Sequence, residues 1–342
     1  MPLMPPPATP RLPRPREGRR RFGGLFAALV ALALPAFAIA DTAAVVTDHA
    51  RPGFAAFATA AEALAAVDSC APDDLRPAFQ AAWDAWTGVA HLSLGPAEDG
   101  GRGLAVLFWP DPKGAGWKAQ RALLAAGPAD LTPETMAGLS VAARGLPALE
   151  RLLYPAEPLA ADPCPLIRAT ARDMARTAQD LARDWQGFGD LLLSAGQPGN
   201  TRFLSPAEAT QALFTQLVSG LESLADRRIG RPLGSFDKPR PDLAEARAAG
   251  RSQRNILLSL IALRDLAQKL SPDSPQTLAA FDRAIALAET LHDPDLSGIA
   301  QPAGRLKLDI LQQAVRATRD SAIAEIGPAL GVGLGFNALD GD

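Results

Sequence analysis

The residues best suited to chemistry begin with Glu150, set in the run Gly145-Leu146-Pro147-Ala148-Leu149-Glu150-Arg151-Leu152-Leu153-Tyr154. A helical carboxylate can meet a cation, but metal-assisted hydrolysis asks for a cage of ligands plus a general base, as in His-Glu-x-x-His. Nothing in the chain has that form, and the three histidines, His49, His91 and His292, stand far apart in sequence. No Gly-x-Ser-x-Gly elbow offers a nucleophile either. No catalytic residue is therefore assigned, and binding is the expected activity.

Further binding candidates come from segments that look irregular. Phe108-Trp109-Pro110-Asp111 places a large aromatic and a carboxylate in a loop, where Trp109 and Asp111 either contact a ligand or pin the loop to the fold. His91 precedes Gly95-Pro96 and reads as an imidazole ligand or as a helix-end cap. Asp242 to Asn255 carries Glu245, Arg247, Arg251 and Arg254, a solvated basic face from which Arg254 is the candidate for an anion. Near the C-terminus, Gly335-Phe336-Asn337 and Asp340-Gly341-Asp342 suggest a tucked tail, with Asn337 and Asp340 available to a cation.

The elements that must position these residues read as helices. Ile167, Ala171, Met174, Ala178, Leu181, Trp185, Phe188 and Leu192 alternate steps of four and three, the signature of a long helix with one buried stripe. Ile256 to Leu270 and Phe54 to Val67 repeat it, and another helix runs from Leu75 through Trp86. Ser205-Pro206-Ala207-Glu208 is a capping box, and Thr132-Pro133 and Ser274-Pro275 are cap-then-proline starts. The one candidate for an extended segment is Leu104 to Trp109. The predicted fold is all-α, two helical bundles of about four helices each. The boundary falls in the turn-rich stretch 194–206, giving bundles at 41–199 and 200–342.

Residues 1–40 read as a signal peptide. Arg11, Arg14, Arg16, Arg19, Arg20 and Arg21 precede the apolar run Phe26 to Ala40, which is shorter than the ~20 residues of a spanning helix. Ala38-Ile39-Ala40 is a small-x-small cleavage signal, and Arg19-Arg20-Arg21-Phe22 also permits twin-arginine export. The expected destination is the periplasm or cell envelope, with no transmembrane segment in the mature chain. Residues 1–40 hold six arginines and Glu17, so 34 basic residues become 28 and 37 acidic become 36, a net of −8. That balance argues against nucleic acid or an anionic membrane as partner. Cys70 and Cys164 are the only cysteines. In an oxidising compartment they are expected to form a disulfide, the alternative being two buried thiols; closing so long a loop removes chain entropy worth roughly 4 to 5 kcal/mol.

Gly95-Pro96, Phe108 to Asp111, Gly145 to Tyr154 and Gly335 to Asp342, in that order, together resemble the imelysin family. The resemblance runs from about Cys70 to the last residue. It implies an envelope protein of two helical bundles with a site in the cleft between them. Founding members of that family were described as peptidases, and relatives belong to iron-uptake systems. A divalent metal or iron is the cofactor class implied, and a small ligand, a metal or another envelope protein the partner. The family signature is Gly-x-His-x-x-Glu, whose histidine and glutamate share one helix face and reach one metal. Here the matching positions are Gly145, Pro147 and Glu150. Proline offers no metal ligand, so the resemblance points to binding, with Glu150 as the metal candidate, and away from peptidase activity.

Overall fold

In a computed structural model the described residues are 41–127 and 131–332; residues 1–40, expected to be a signal peptide, and the tail with Asn337 and Asp340 lie outside them. The chain enters through α1 (Thr42–Val45), passes a π-turn at Val46–Ala50 and continues as α2 (Arg51–Ala65). There follow α3 (Pro72–Thr87), α4 (Arg102–Val106), α5 (Ala115–Ala126), α6 (Pro133–Ala137), α7 (Gly145–Leu153) and the 30-residue α8 (Cys164–Leu193). Beyond the turns at 194–205 come α9 (Pro206–Glu222), a second π-turn at Ser223–Ile229 and α10 (Gly230–Leu233). The last three are α11 (Ser252–Leu270), α12 (Pro275–Glu289) and α13 (Pro302–Ala329).

The predicted stripe on α8 is buried at every one of its eight positions, because steps of three and four keep side chains on one face of a 3.6-residue turn. That stripe packs on α2 and α7, and α2 packs in turn on α3. In the second half α12 lies against α11 and α13, and α9 against both α11 and α13. One continuous apolar core runs through helices on both sides of Asn200, joined where α1 and α3 meet α11. Cys70 and Cys164 form a disulfide, Cα atoms 5.4 Å apart, that ties the loop after α2 to the first residue of α8.

The fold is all-α, with no β-strand among the described residues. The run Leu104 to Trp109 divides between the last turn of α4 and an irregular segment, since Leu107 leaves the helix at φ −136° and ψ 84°. Helix starts mostly follow their chemistry. Ser205 Oγ accepts from the Glu208 amide at 3.3 Å, Glu208 Oε2 accepts from the Leu204 amide at 2.8 Å, and Thr132 Oγ1 accepts from the Thr135 amide at 3.2 Å. Ser274 differs: its hydroxyl donates backwards to the Ser271 carbonyl at 2.6 Å, so Pro275 starts α12 without that cap.

The sharper departure lies ahead of α11. The stretch Asp242 to Asn255 is not one helix with a solvated basic face. It winds through turns, with Ala246 at φ 53° and Gly250 at φ 63°, and α11 begins only at Ser252. This turns Arg251 inward, to 1% exposure, with its guanidinium 5.1 Å from the centre of the Trp83 ring.

Candidate ligand-binding cavities

Glu150 is positioned by the way α7 starts. Gly145 adopts φ +69°, and a Cβ there would lie 2.3 Å from the carbonyl oxygens of both Ala105 and Val106, so only glycine lets α7 pass so close to α4. Pro147 follows in the first turn, where its missing N–H has no intrahelical partner to lose. Just before α7, Arg144 makes a two-pronged contact with Asp173 of α8, Nε to Oδ2 at 2.8 Å and Nη2 to Oδ1 at 2.9 Å, both side chains buried. That pair ties the residue before α7 to α8.

The exposed end of this arrangement is a cavity of about 600 Å3 lined by Trp109, Pro147, Glu150, Tyr154, Arg231 and Arg247 among others. One carboxylate oxygen of Glu150 accepts from the Ala249 amide at 3.0 Å. Burial pushes the Glu150 carboxyl up to about 7, against the pull of the Ala249 amide and the Arg151 charge, and Glu245 adds to the rise. Near neutrality Glu150 is therefore a carboxylic acid as often as a carboxylate. Arg231 Nε has no partner among the described residues, so the same cavity holds an uncommitted donor.

A second cavity, of about 490 Å3, shares Trp109 with the first as a lining residue. Its wall includes His91, Arg228, Glu245 and Ser259. Glu245 Oε2 accepts from Asn255 Nδ2 at 2.7 Å and forms an ion pair with Arg228, whose Nε lies 2.9 Å away, while Asn255 Oδ1 accepts from Arg251 Nε at 2.9 Å. Arg251 and Arg254 then close on one carboxylate: Arg251 Nη2 at 2.7 Å and Arg254 Nε at 2.8 Å both reach Asp84 Oδ1. The two guanidiniums hold the Asp84 carboxyl below its ordinary range although burial works the other way.

Among the described residues no group of three His, Cys, Asp or Glu side chains is arranged to hold a metal ion. At the Glu150 cavity the reason is plain. Pro147 has no side-chain ligand atom, and Asp111 is held at the start of α5, its two oxygens accepting from the Ala115 and Gly116 amides at 2.8 Å each. The residues present do not fit a protein-caged metal.

The profile of the family described as Imelysin, Peptidase_M75, matches residues 45–322. The chain belongs to the imelysin family. Iron-regulated protein A of Synechococcus elongatus is 26% identical over 275 residues, 74% of this chain and 73% of that protein. The crystal structure of an imelysin-like protein from Psychrobacter arcticum superposes with a TM-score of 0.72 at 20% identity, covering 86% of this chain and 96% of that one, which supports the all-α fold. No described helix is long and apolar enough to cross a membrane.

Within this imelysin fold the candidates separate. Glu150, Trp109 and Asp111 line one cavity, though Asp111 also caps α5. His91 belongs to the neighbouring cavity. Arg254 lines neither; its guanidinium is engaged by Asp84. Sequence reading passed over Arg231, Arg228, Asp84 and the buried role of Glu245. It also set His49 aside as remote, yet His49 Nε2 lies 2.9 Å from His91 Nε2, and His49 Nδ1 lies 2.6 Å from Asp265 Oδ2. The run 245–255, charged and polar residues among three alanines, carries no local sign that Glu245 and Arg251 are buried.

Proposed function

We propose that this imelysin-family protein is a non-catalytic periplasmic binding protein, exported by residues 1–40. Its ligand is a small acceptor-rich molecule, such as an iron chelate that brings its own metal ligands. The site is the cleft between the bundles 41–199 and 200–342. The observation that carries this reading is Glu150: a half-buried carboxyl, raised to about 7, in an aromatic-lined cavity with Arg231 Nε as a donor without a partner, and with no group of three metal-ligating side chains among the described residues. Below pH 7 Glu150 is protonated and donates, as Arg231 does, to a carboxylate or hydroxyl oxygen of the ligand. Above pH 7 its negative charge repels the same oxygen. The name of the Synechococcus relative, which refers to iron regulation, agrees with an iron-containing cargo.

Calorimetric titration of the mature protein with ferric citrate tests this. Binding is expected to be about ten-fold tighter at pH 6 than at pH 8, following the protonated fraction of Glu150. Glu150→Gln, which keeps a donor, should bind equally at both pH values. Tight binding of free iron, copper or zinc that strengthens with pH would instead make Glu150 a metal ligand and overturn the reading. So would metal-dependent cleavage of unfolded polypeptide that Glu150→Ala abolishes.

A further inference from the structure

The rings around Glu150 differ from the molecule's other aromatics. Every aromatic side chain among the described residues is buried except Phe108, Trp109, Trp117, Tyr154 and Phe236. The first four all line the Glu150 cavity, and only Phe236 stands elsewhere. Buried rings find their partners in the core, as Phe54 does on Trp185 with centroids 4.9 Å apart. Of the four, Tyr154 alone has a ring neighbour among the described residues, Phe79 at 5.8 Å. Two of the rings are braced by cations that do not line the cavity: Arg76 lies 4.5 Å from the centre of the Tyr154 ring and Arg121 5.9 Å from that of Trp117. Ring surface held in place and left partly open in a concave site of about 600 Å3 fits a flat ligand ring. Offset or edge contacts between rings add to what area burial alone supplies.

Charge on the same wall selects the other end of such a ligand. Asp111 caps α5, Asp242 pairs with Arg240 at 3.1 Å, and Arg151 donates to Gln120 Oε1 and to the Ala142 carbonyl at 2.9 Å each. That leaves Arg231 and Arg247 as cations beside Glu157, which is exposed, and Glu150, which is mostly protonated at pH 6. Arg247 meets Asp295 only at 3.6 Å, beyond hydrogen-bond length, and its side chain is 44% exposed. Gln80 Nε2 donates to Tyr154 Oη at 3.0 Å and to the Ala249 carbonyl at 3.3 Å, so the turn that carries Arg247 sits beside the aromatic wall. A guanidinium takes a carboxylate through two parallel hydrogen bonds. We propose that the Glu150 cavity binds a planar aromatic carboxylate, its ring on the aromatic wall and its acid group on Arg247. This assignment rests on the reading of that cavity as the ligand site, and it makes the chelator of an iron cargo an aryl acid.

The test is calorimetric titration of the mature protein at pH 6 with 2-naphthoate, its saturated counterpart decahydronaphthalene-2-carboxylate, and 2-(aminomethyl)naphthalene. The naphthoate should bind one to one with a Kd of about 0.1 mM or tighter. Saturation adds apolar surface, so plain burial predicts that the saturated acid binds at least as well. Ring contacts predict the reverse, about ten-fold in favour of the naphthoate. The amine, of opposite charge, should bind about ten-fold more weakly than the naphthoate. Trp117→Leu, at a position 41% exposed, should cut the ring preference to about threefold, and Arg247→Gln should weaken both acids about fivefold. Absence of saturable naphthoate binding, equal or tighter binding of the saturated acid or of the amine, or undiminished binding in both variants overturns the proposal. The three ligands on the unaltered protein decide it even if neither variant folds. Ferric citrate binding without a preference for the naphthoate overturns the aryl acid and leaves the cavity as the ligand site. A naphthoate preference without ferric citrate binding keeps the aryl acid and removes the iron cargo.

Discussion

Asp173→Ala lowers the unfolding free energy by about 3 to 5 kcal/mol, read from equilibrium urea unfolding by circular dichroism. The aspartate is 2% exposed and takes both prongs of the Arg144 guanidinium, with Arg176 Nη2 adding a third contact at 3.1 Å. Truncation leaves Arg144, 7% exposed, with only the Ala137 carbonyl at 3.1 Å to accept from it. The loss therefore comes mainly from a buried charge without a counter-ion. The pair itself contributes less than that number suggests, because burying two ions is opposed by their lost hydration. Replacing both partners together, Arg144→Met with Asp173→Leu, should recover most of the stability. A single-variant loss under about 1 kcal/mol would mean that α7 is not anchored through this pair.

Glu150→Gln stabilises the protein at alkaline pH, by an amount on the order of 3 kcal/mol above pH 8, and changes little below pH 4. The sign follows from the direction of the shift. The folded carboxyl titrates at about 7 and the unfolded one near its ordinary 4.5, so between those values the folded state binds the extra proton. Stability contributed by the protonated form is fully present below the unfolded value and is lost as pH rises to 7. Glutamine has no proton to lose and removes this slope, while its carbonyl oxygen can still accept from the Ala249 amide. Thermal unfolding of both proteins from pH 4 to 9 checks it. Parallel pH profiles would show that the Glu150 carboxyl is better solvated than the structure indicates.

Legibility in the sequence tracked how local each determinant is. The α8 stripe and the Ser205 cap are written within a few residues of one another, and period and hydrogen-bond chemistry suffice to read them. Glu150 and Trp109 were readable because glycine and proline interrupt the helical pattern beside them. The His49 to His91 contact was not, since 42 residues of chain separate two rings that meet only after α2, α9 and α11 have packed. Arg251 misled for a related reason. Helical spacing assigns a face only if the helix has begun, and the left-handed turn at Gly250 delays that start.

The disulfide has a consequence for which parts of the molecule can be separated. Cys70 and Cys164 enclose a covalent ring spanning 94 positions, and His91, Trp109, Asp111 and Glu150 all sit on it. Its exposed stretches, such as the run around Ala156 to Pro158, are the natural targets for a protease. One cut there opens the ring without releasing a fragment. While the bridge lasts, the piece carrying α3 to α7 stays tethered to α8, and the walls of both cavities remain parts of a single molecule.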